Sequence, residues 1–365
     1  MIEIEKPTAI VDEKRVRKNI ERMANKAKKS DINFRPHFKT HQSADIGRWF
    51  RDYGVNSITV SSVDMANYFA DHGWTDITIA VPVNIKQINH INKLAGKISI
   101  NLLVENLKSI EALKRINHQL KMWIEIDIGY HRTGVNWQNT AEIENIVKAI
   151  DQVDNLHLSG ILTHAGHAYH ANSVSELKKI FNDSVIRMNY IKEYLLSKGY
   201  NNIKISVGDT PTCSVVDDFS GVDEIRPGNF VFYDLIQVKS GACEEKDIAL
   251  VVGCPIIAKY PERNELVIYG GGVHLSKDFI VLDNDLKSFG KIALPTTKGW
   301  SKALDNAFVT SVSQEHGIIK AKKEFIAETN IGDILMVFPI HSCLTANLHH
   351  CYQTVEGQNL NSFIF

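Results

Sequence analysis

Short apolar, β-branched runs alternate with longer stretches of helical periodicity from residue 33 to about residue 231, and this alternation limits the fold more than any other feature of the sequence. The strand-like runs are 33–38, 57–60, 76–81, 98–104, 122–127, 156–163, 203–207 and 223–231. Helical patterns follow all but the last, at 44–53, 63–72, 85–94, 107–117, 141–150, 173–197 and a short one near 211–219. Parallel strands need a crossover between them, and repeated strand–helix units predict an α/β fold closed as a (β/α)8 barrel. Beyond about residue 240 the runs 248–257, 265–269, 308–312, 318–319 and 334–338 have hardly a helix between them, which predicts a second, mainly β domain. The run 8–11 precedes the first barrel helix and is expected to join that β domain. The expected division is a barrel over 12–245 and a β domain over 1–11 and 246–365, within reach of a 365-residue chain.

A formal net charge of -1 provides no long-range attraction to nucleic acid or an anionic membrane, so the expected partners are small molecules and a second copy of the chain. No apolar run approaches the roughly 18 residues of a membrane span. The start MIEIEKPTAI lacks the basic-then-apolar plan of a signal peptide. Cys213, Cys243, Cys254, Cys343 and Cys351 are scattered and form no CxxC pair, which points to a reducing, cytoplasmic setting without a disulfide framework.

Catalytic groups in such barrels sit at the C-terminal ends of the strands. That filter selects Lys39 and His41, Arg132, His164, the run Gly208-Asp209-Thr210, and Gly228 to Tyr233. In RPHFKTH (35–41) an extended strand would place Arg35, His37, Lys39 and His41 on one face. A lysine is nucleophilic only when neutral, and cationic neighbours favour that form, so His37 and His41 are expected to activate Lys39. The plain alternative is a solvated basic strand end. Gly208-Asp209-Thr210-Pro211-Thr212 lies between a strand and a short helix; its amides and hydroxyls suit a phosphate, and equally suit an ordinary helix start. A lysine together with a phosphate loop points to pyridoxal phosphate.

PHFKTH, IEIDIGYHRTGV (124–135), THAGHAY (163–169), VGDTPT (207–212), EIRPGNFVFYD (224–234), SVSQEHG (311–317) and PIHSCLTANLH (339–349) occur in an order that resembles the fold-type III pyridoxal phosphate enzymes. The nearest group is the D-serine dehydratase and D-threonine aldolase family, which is related to alanine racemase. The resemblance implies a homodimer with Lys39 as the Schiff-base lysine, Arg132 near the cofactor's phenolic oxygen, and His164 packed on its ring. It also implies phosphate contacts from Gly208, Thr210 and Tyr233. Tyr169 either touches cofactor or substrate, or only packs. Taken alone, Arg132 also reads as a barrel salt bridge and His164 as a core histidine.

The predicted strand 334–338 runs into Pro339-Ile340-His341-Ser342-Cys343, and an extended course would turn His341 and Cys343 to the same side. An imidazole with a thiolate favours Zn²⁺, although a cysteine is often just a buried apolar residue. His349, His350 and Cys351 are alternative ligands nearby. The resemblance implies HxC in dehydratases and HxD in aldolases, so the expected reaction is zinc-assisted loss of water from a β-hydroxy D-amino acid, giving keto acid and ammonia. The rivals are a 3-hydroxy-D-amino acid aldolase, a racemase, which lacks an obvious tyrosine base here, and a cofactor carrier without turnover. Thr345 and Asn347 either bind the substrate carboxylate or shape the loop. Gln314, Glu315 and His316 have no assigned chemistry, and GGGVHLSKD (270–278) either brings His274 or Lys277 to the barrel mouth or, as the commoner case for glycine-rich turns, is structural.

Overall fold

The computed structural model describes residues 3–282 and 285–363, and they divide into two compact units. Residues Glu21–Lys39 and Gly47–Gly228 form one; the chain up to Ile20, Thr40–Ile46 and the chain from Asn229 onward form the other.

The first unit is the expected barrel. Its strands Asn33–Phe34, Ile58–Val60, Asp76–Pro82, Ser99–Val104, Leu120–Asp127, Leu156–Leu162, Lys204–Val207 and Glu224–Ile225 pair in parallel in chain order, and the last pairs with the first. Closure between the first two depends on a bridge of His37 with Thr59, reinforced by the Phe38 amide donating to the Thr59 carbonyl at 2.8 Å. The predicted first and eighth strands are shorter than the sequence suggests. Past Phe34 the chain keeps only that one bridge, and Asn229–Val231 is a 3-10 turn.

Arg35 does not face a reactive cluster. Its buried guanidinium reaches Asp76 and Glu224 at 2.7 Å each, and Glu224 also accepts from Asn33 and from Ser206 Oγ. The network ties four strands together, which satisfies charges that would be costly to leave unpaired inside the barrel.

In the second unit, Leu250–Tyr260 pairs with Thr8–Val11, Glu265–Tyr269 and Ile334–Pro339, all antiparallel. The path continues through Gly290–Ala293, Phe308–Val312 and His316–Lys320 back to Glu265–Tyr269, which closes a small antiparallel barrel. Its inside is apolar, built on Val252, Ile268, Ile292, Val309, Ile319 and Val337. Strands Cys351–Thr354 and Asn359–Asn361 extend the sheet on the far side of Thr8–Val11. Gly290–Ala293 and the two last strands carry little apolar alternation and were not predicted. Among the described residues no helix is long and apolar enough to cross a membrane.

Candidate active site

In the barrel unit Lys39 follows Phe38, whose ring is buried against Phe50, Phe69 and Trp74 with centroids 4.8, 5.0 and 5.1 Å away. Each such ring pair contributes about 0.5–1.5 kcal/mol beyond its area, so the backbone presenting Lys39 is firmly anchored. The strand has already ended there: residues 38–41 turn, and Gln42 adopts a left-handed φ of 49°. The one-face expectation for 35, 37, 39 and 41 therefore fails. His41 is buried, with Nδ1 accepting from the Ser43 amide at 3.1 Å.

The two histidines also carry no charge. Burial, and then the positive Lys39, Arg226 and Arg132, hold His37 well below its ordinary pKa; burial alone takes His41 to about 3. They cannot be the cationic neighbours the sequence suggested. The positive charge around Lys39 in this unit is arginine charge.

His164 is likewise held at about 3, by burial and then by Lys39, and its Nδ1 lies 2.6 Å from the Gly208 carbonyl. The Arg132 guanidinium is exposed and lies 5.4 Å from the Tyr130 ring centre, while Tyr130 meets His164 edge-on at 6.1 Å. Among the described residues Arg132 has no salt-bridge partner, and its contact is the Tyr130 ring. Arg226, unassigned in the sequence reading, is buried; it donates to Ser206 Oγ at 2.7 Å and to the Thr163 carbonyl at 2.5 Å. A charged residue at the last strand's end was the available signal.

The phosphate-loop candidate is a built turn. Asp209 caps the helix Thr210–Val215 by accepting from the Thr212 amide at 2.7 Å and the Thr212 hydroxyl at 2.8 Å, so Thr212 is spent on the helix itself. Lys26 closes the other end, donating to the carbonyls of Cys213, Ser214 and Val216. At the turn itself the Thr210 amide is 3.5 Å from Tyr169 Oη, and the Gly228 amide is 3.3 Å from Thr210 Oγ1. Gly208 lies against the Arg226 backbone so closely that a Cβ would come within 2.8–2.9 Å of it. Amides and hydroxyls around a turn without side-chain bulk suit a phosphate, and a flat neutral imidazole with two nearby arginines suits its aromatic ring.

In the β unit the strand stops at Pro339 and a helix begins at Ser342, so His341–Cys343 is not extended. The turn is imposed by Asp234, whose Oδ2 accepts the Ser342 amide at 2.9 Å and an Asn229 Nδ2 hydrogen at 2.6 Å. His341 and Cys343 still meet, as ring to thiol. The sulfur also lies 3.2 Å from Thr40 Oγ1 and 3.5 Å from Asn229 Nδ2. The His341 ring faces Asp278 with Nδ1–Oδ2 3.3 Å, and Asp278, Cys343 and Asp234 together raise its pKa to about 11. These surroundings call for a cation. The donor set fits a thiophilic metal, with a proton on His341 as its stand-in. Among the described residues no group of three or more His, Cys, Asp or Glu is arranged to hold one.

Thr345 is buried and its hydroxyl donates to the Leu275 carbonyl at 3.0 Å; exposed Asn347 accepts from Gln42 Nε2 at 2.8 Å. Tyr233 is buried with a left-handed φ of 49°, its amide donating to the Asn229 carbonyl. His349 packs a ring nitrogen on the His274 carbonyl, and His350 and Cys351 are exposed. The motifs at 270–278 and 311–317 pack on each other: a Cβ on Gly271 would fall 2.3 Å from the Gln314 carbonyl oxygen.

Known proteins resemble the chain over almost its full length. Residues 11–235 match the model of the alanine racemase N-terminal domain, and 249–355 that of a putative serine dehydratase domain. A D-serine dehydratase of Dictyostelium discoideum is 29% identical, over 98% of this chain and 95% of its own. A D-threo-3-hydroxyaspartate dehydratase of Delftia sp. is 28% identical over 98% of this chain and 96% of its own. Its solved structure superposes with a TM-score of 0.92, at 26% identity and covering 99% of this chain and 98% of that one. A cysteine-to-alanine variant of that enzyme has been solved in a metal-free form. A 3-hydroxy-D-aspartate aldolase of Paracoccus denitrificans is 24% identical over 97% of this chain and 89% of its own. With a closed parallel barrel, a mainly β second unit and both domain models matched, the chain belongs to the fold-type III pyridoxal phosphate family, as an alanine racemase-type N-terminal domain joined to a serine dehydratase domain.

Proposed function

We propose that this chain is a pyridoxal phosphate- and zinc-dependent lyase that removes water from a β-hydroxy D-amino acid, leaving a keto acid and ammonia. The observation that carries the reading is the setting of Cys343: a sulfur among hydroxyl, amide and imidazole groups, in the position where an aldolase of this family is expected to have aspartate. Thr40, which touches that sulfur, is one peptide bond from Lys39.

Bound pyridoxal phosphate supplies an electron sink for charge developing at Cα, and zinc supplies a Lewis acid for a departing hydroxyl. Lys39 Nζ would hold the cofactor's aldehyde and would serve as the base for the Cα proton. Arg132 gives charge-assisted bonds to the phenolic oxygen. His164, neutral across the working range, packs on the ring without adding positive charge next to Lys39. Gly208, Thr210 and Tyr169 would hold the phosphate in the barrel unit, and His341 and Cys343 would hold the metal in the β unit. Asn347 is oriented by Gln42 to receive the substrate carboxylate, whereas the Thr345 hydroxyl is committed to Leu275 and serves by holding the loop. The homodimer implied by the resemblance and the cytoplasmic setting expected from the sequence are part of the same proposal, and sedimentation at working concentration checks the dimer.

The test is a panel of D-serine, D-threonine and 3-hydroxy-D-aspartate with product identification, on chelated and zinc-loaded protein. Keto acid and ammonia that vanish on chelation and return with zinc are the expected result. Glycine with an aldehyde would make the chain an aldolase, and turnover indifferent to chelation would remove the metal from the reaction.

A further inference from the structure

The segment Gly271–Asp278 is fastened to the His341–His349 stretch at three points. Thr345 Oγ1 donates to the Leu275 carbonyl at 3.0 Å, a ring nitrogen of His349 lies 3.0 Å from the His274 carbonyl, and Asp278 Oδ2 lies 3.3 Å from His341 Nδ1. The first two contacts place the segment; the third brings a carboxylate to the ring. Asp278 is aimed by its own backbone: Ser276 takes a φ of 72° and its Oγ accepts the Asp278 amide at 3.2 Å. The Oδ2 atom is itself buried and has no aligned hydrogen-bond donor among the described residues, so the ring nitrogen is the polar group it faces. The other carboxylate near the ring, Asp234, is already engaged with Ser342 and Asn229.

We propose that Asp278 is the outer carboxylate of the metal centre: a positioning residue that fixes the His341 ring through Nδ1 and thereby presents Nε2, together with the Cys343 sulfur, to one ion. Carboxylate–histidine–metal chains of this kind set the ring's tautomer and orientation and raise its basicity as a ligand. Asp278 is placed outside the coordination sphere because no three such side chains among the described residues are arranged around a single ion. The proposal rests on the metal reading above and deepens it. It also gives the otherwise unassigned end of GGGVHLSKD a task.

The experiment measures zinc affinity by chelator competition, and the visible spectrum of the cobalt-substituted protein, for the wild type, Asp278→Asn, Asp278→Ala and Cys343→Ala. Asp278→Ala is expected to weaken zinc binding about 10–100-fold, with Asp278→Asn in between because its oxygen still faces Nδ1 but carries no negative charge. Both Asp278 variants keep the sulfur-to-cobalt absorption but change the ligand-field bands, whereas Cys343→Ala loses the sulfur band. A purely structural role would leave the spectrum of bound cobalt unaltered. The nearly isosteric Asp278→Asn keeps the test valid should the alanine variant unfold, with circular dichroism as the check. Wild-type affinity and spectrum in both Asp278 variants, with Cys343→Ala defective, would overturn the role of Asp278 and leave the metal reading standing. No zinc uptake by the wild type would overturn both.

Discussion

The two units prepare histidine in opposite ways. In the barrel, His37 and His164 lie with Lys39, Arg132 and Arg226, and burial plus those cations strip both rings of charge. In the β unit, His341 is also partly buried, yet Asp278, Cys343 and Asp234 drive its pKa up to about 11. The side chain is the same; the sign of its neighbours differs. One unit is arranged for an anion and the other for a cation, and that division is what a phosphorylated cofactor and a metal ion require of two halves of one enzyme.

The comparison is most directly tested by removing one chemistry and asking whether the other survives. Lys39→Ala should lower turnover by at least about 10²–10⁴-fold, the range of a lost acid–base group. It should also abolish borohydride fixation of the cofactor while zinc affinity stays at the wild-type value; a parallel loss of zinc would show that the two units are not chemically separate. Cys343→Asp makes the reciprocal change. Harder oxygen donors replace sulfur, so metal preference should move from zinc toward manganese with the cofactor's absorbance unaltered, and glycine among the products would identify this one position as the switch between elimination and cleavage.

A third test uses acid. The His164 ring titrates near 3 in the folded chain and near 6.5 in the unfolded one, so between those values only the unfolded chain takes up the proton. Stability should be full above about pH 6.5 and fall as pH drops, with a slope of at most about 1.4 kcal/mol per pH unit from this group. His164→Gln should flatten the dependence of the urea midpoint on pH; an unchanged slope would mean that the ring is already solvated. His41 makes the same demand in the β unit, so some acid sensitivity should persist. The smallest effect is expected from Gly208→Ala. Its Cβ would press on the Arg226 backbone, costing about 1–3 kcal/mol by overpacking. Cofactor affinity should weaken while zinc affinity holds, as cofactor and metal titrations would show.

Much of this architecture could be read before any coordinates. Strand and helix alternation reports local burial, and the barrel strands came out within a few residues at most ends. The exceptions are instructive. The predicted first strand breaks after Phe34 because the chain must turn to expose Lys39, and the eighth ends early because Asn229–Val231 coils into a 3-10 turn. Gly290–Ala293 in the closed barrel and Cys351–Thr354 beyond Thr8–Val11 were missed because such short strands are recruited by their neighbours' hydrogen bonds and not by their own apolar pattern. The extended course assumed through His341–Cys343 failed for a similar reason. Asp234, more than a hundred residues earlier in the chain, captures the Ser342 amide and starts a helix.

The identities of the chemical groups were set by the sequence alone: one lysine at a strand end, a glycine cradle, and an HxC pair, each legible because residue type and local spacing are local properties. Protonation was not local. That His37 and His164 are neutral, that His341 favours a cation, and that Asp278 is the carboxylate it meets were decided only in the folded chain, where loss of water and charges from distant segments determine which form of each group is stable.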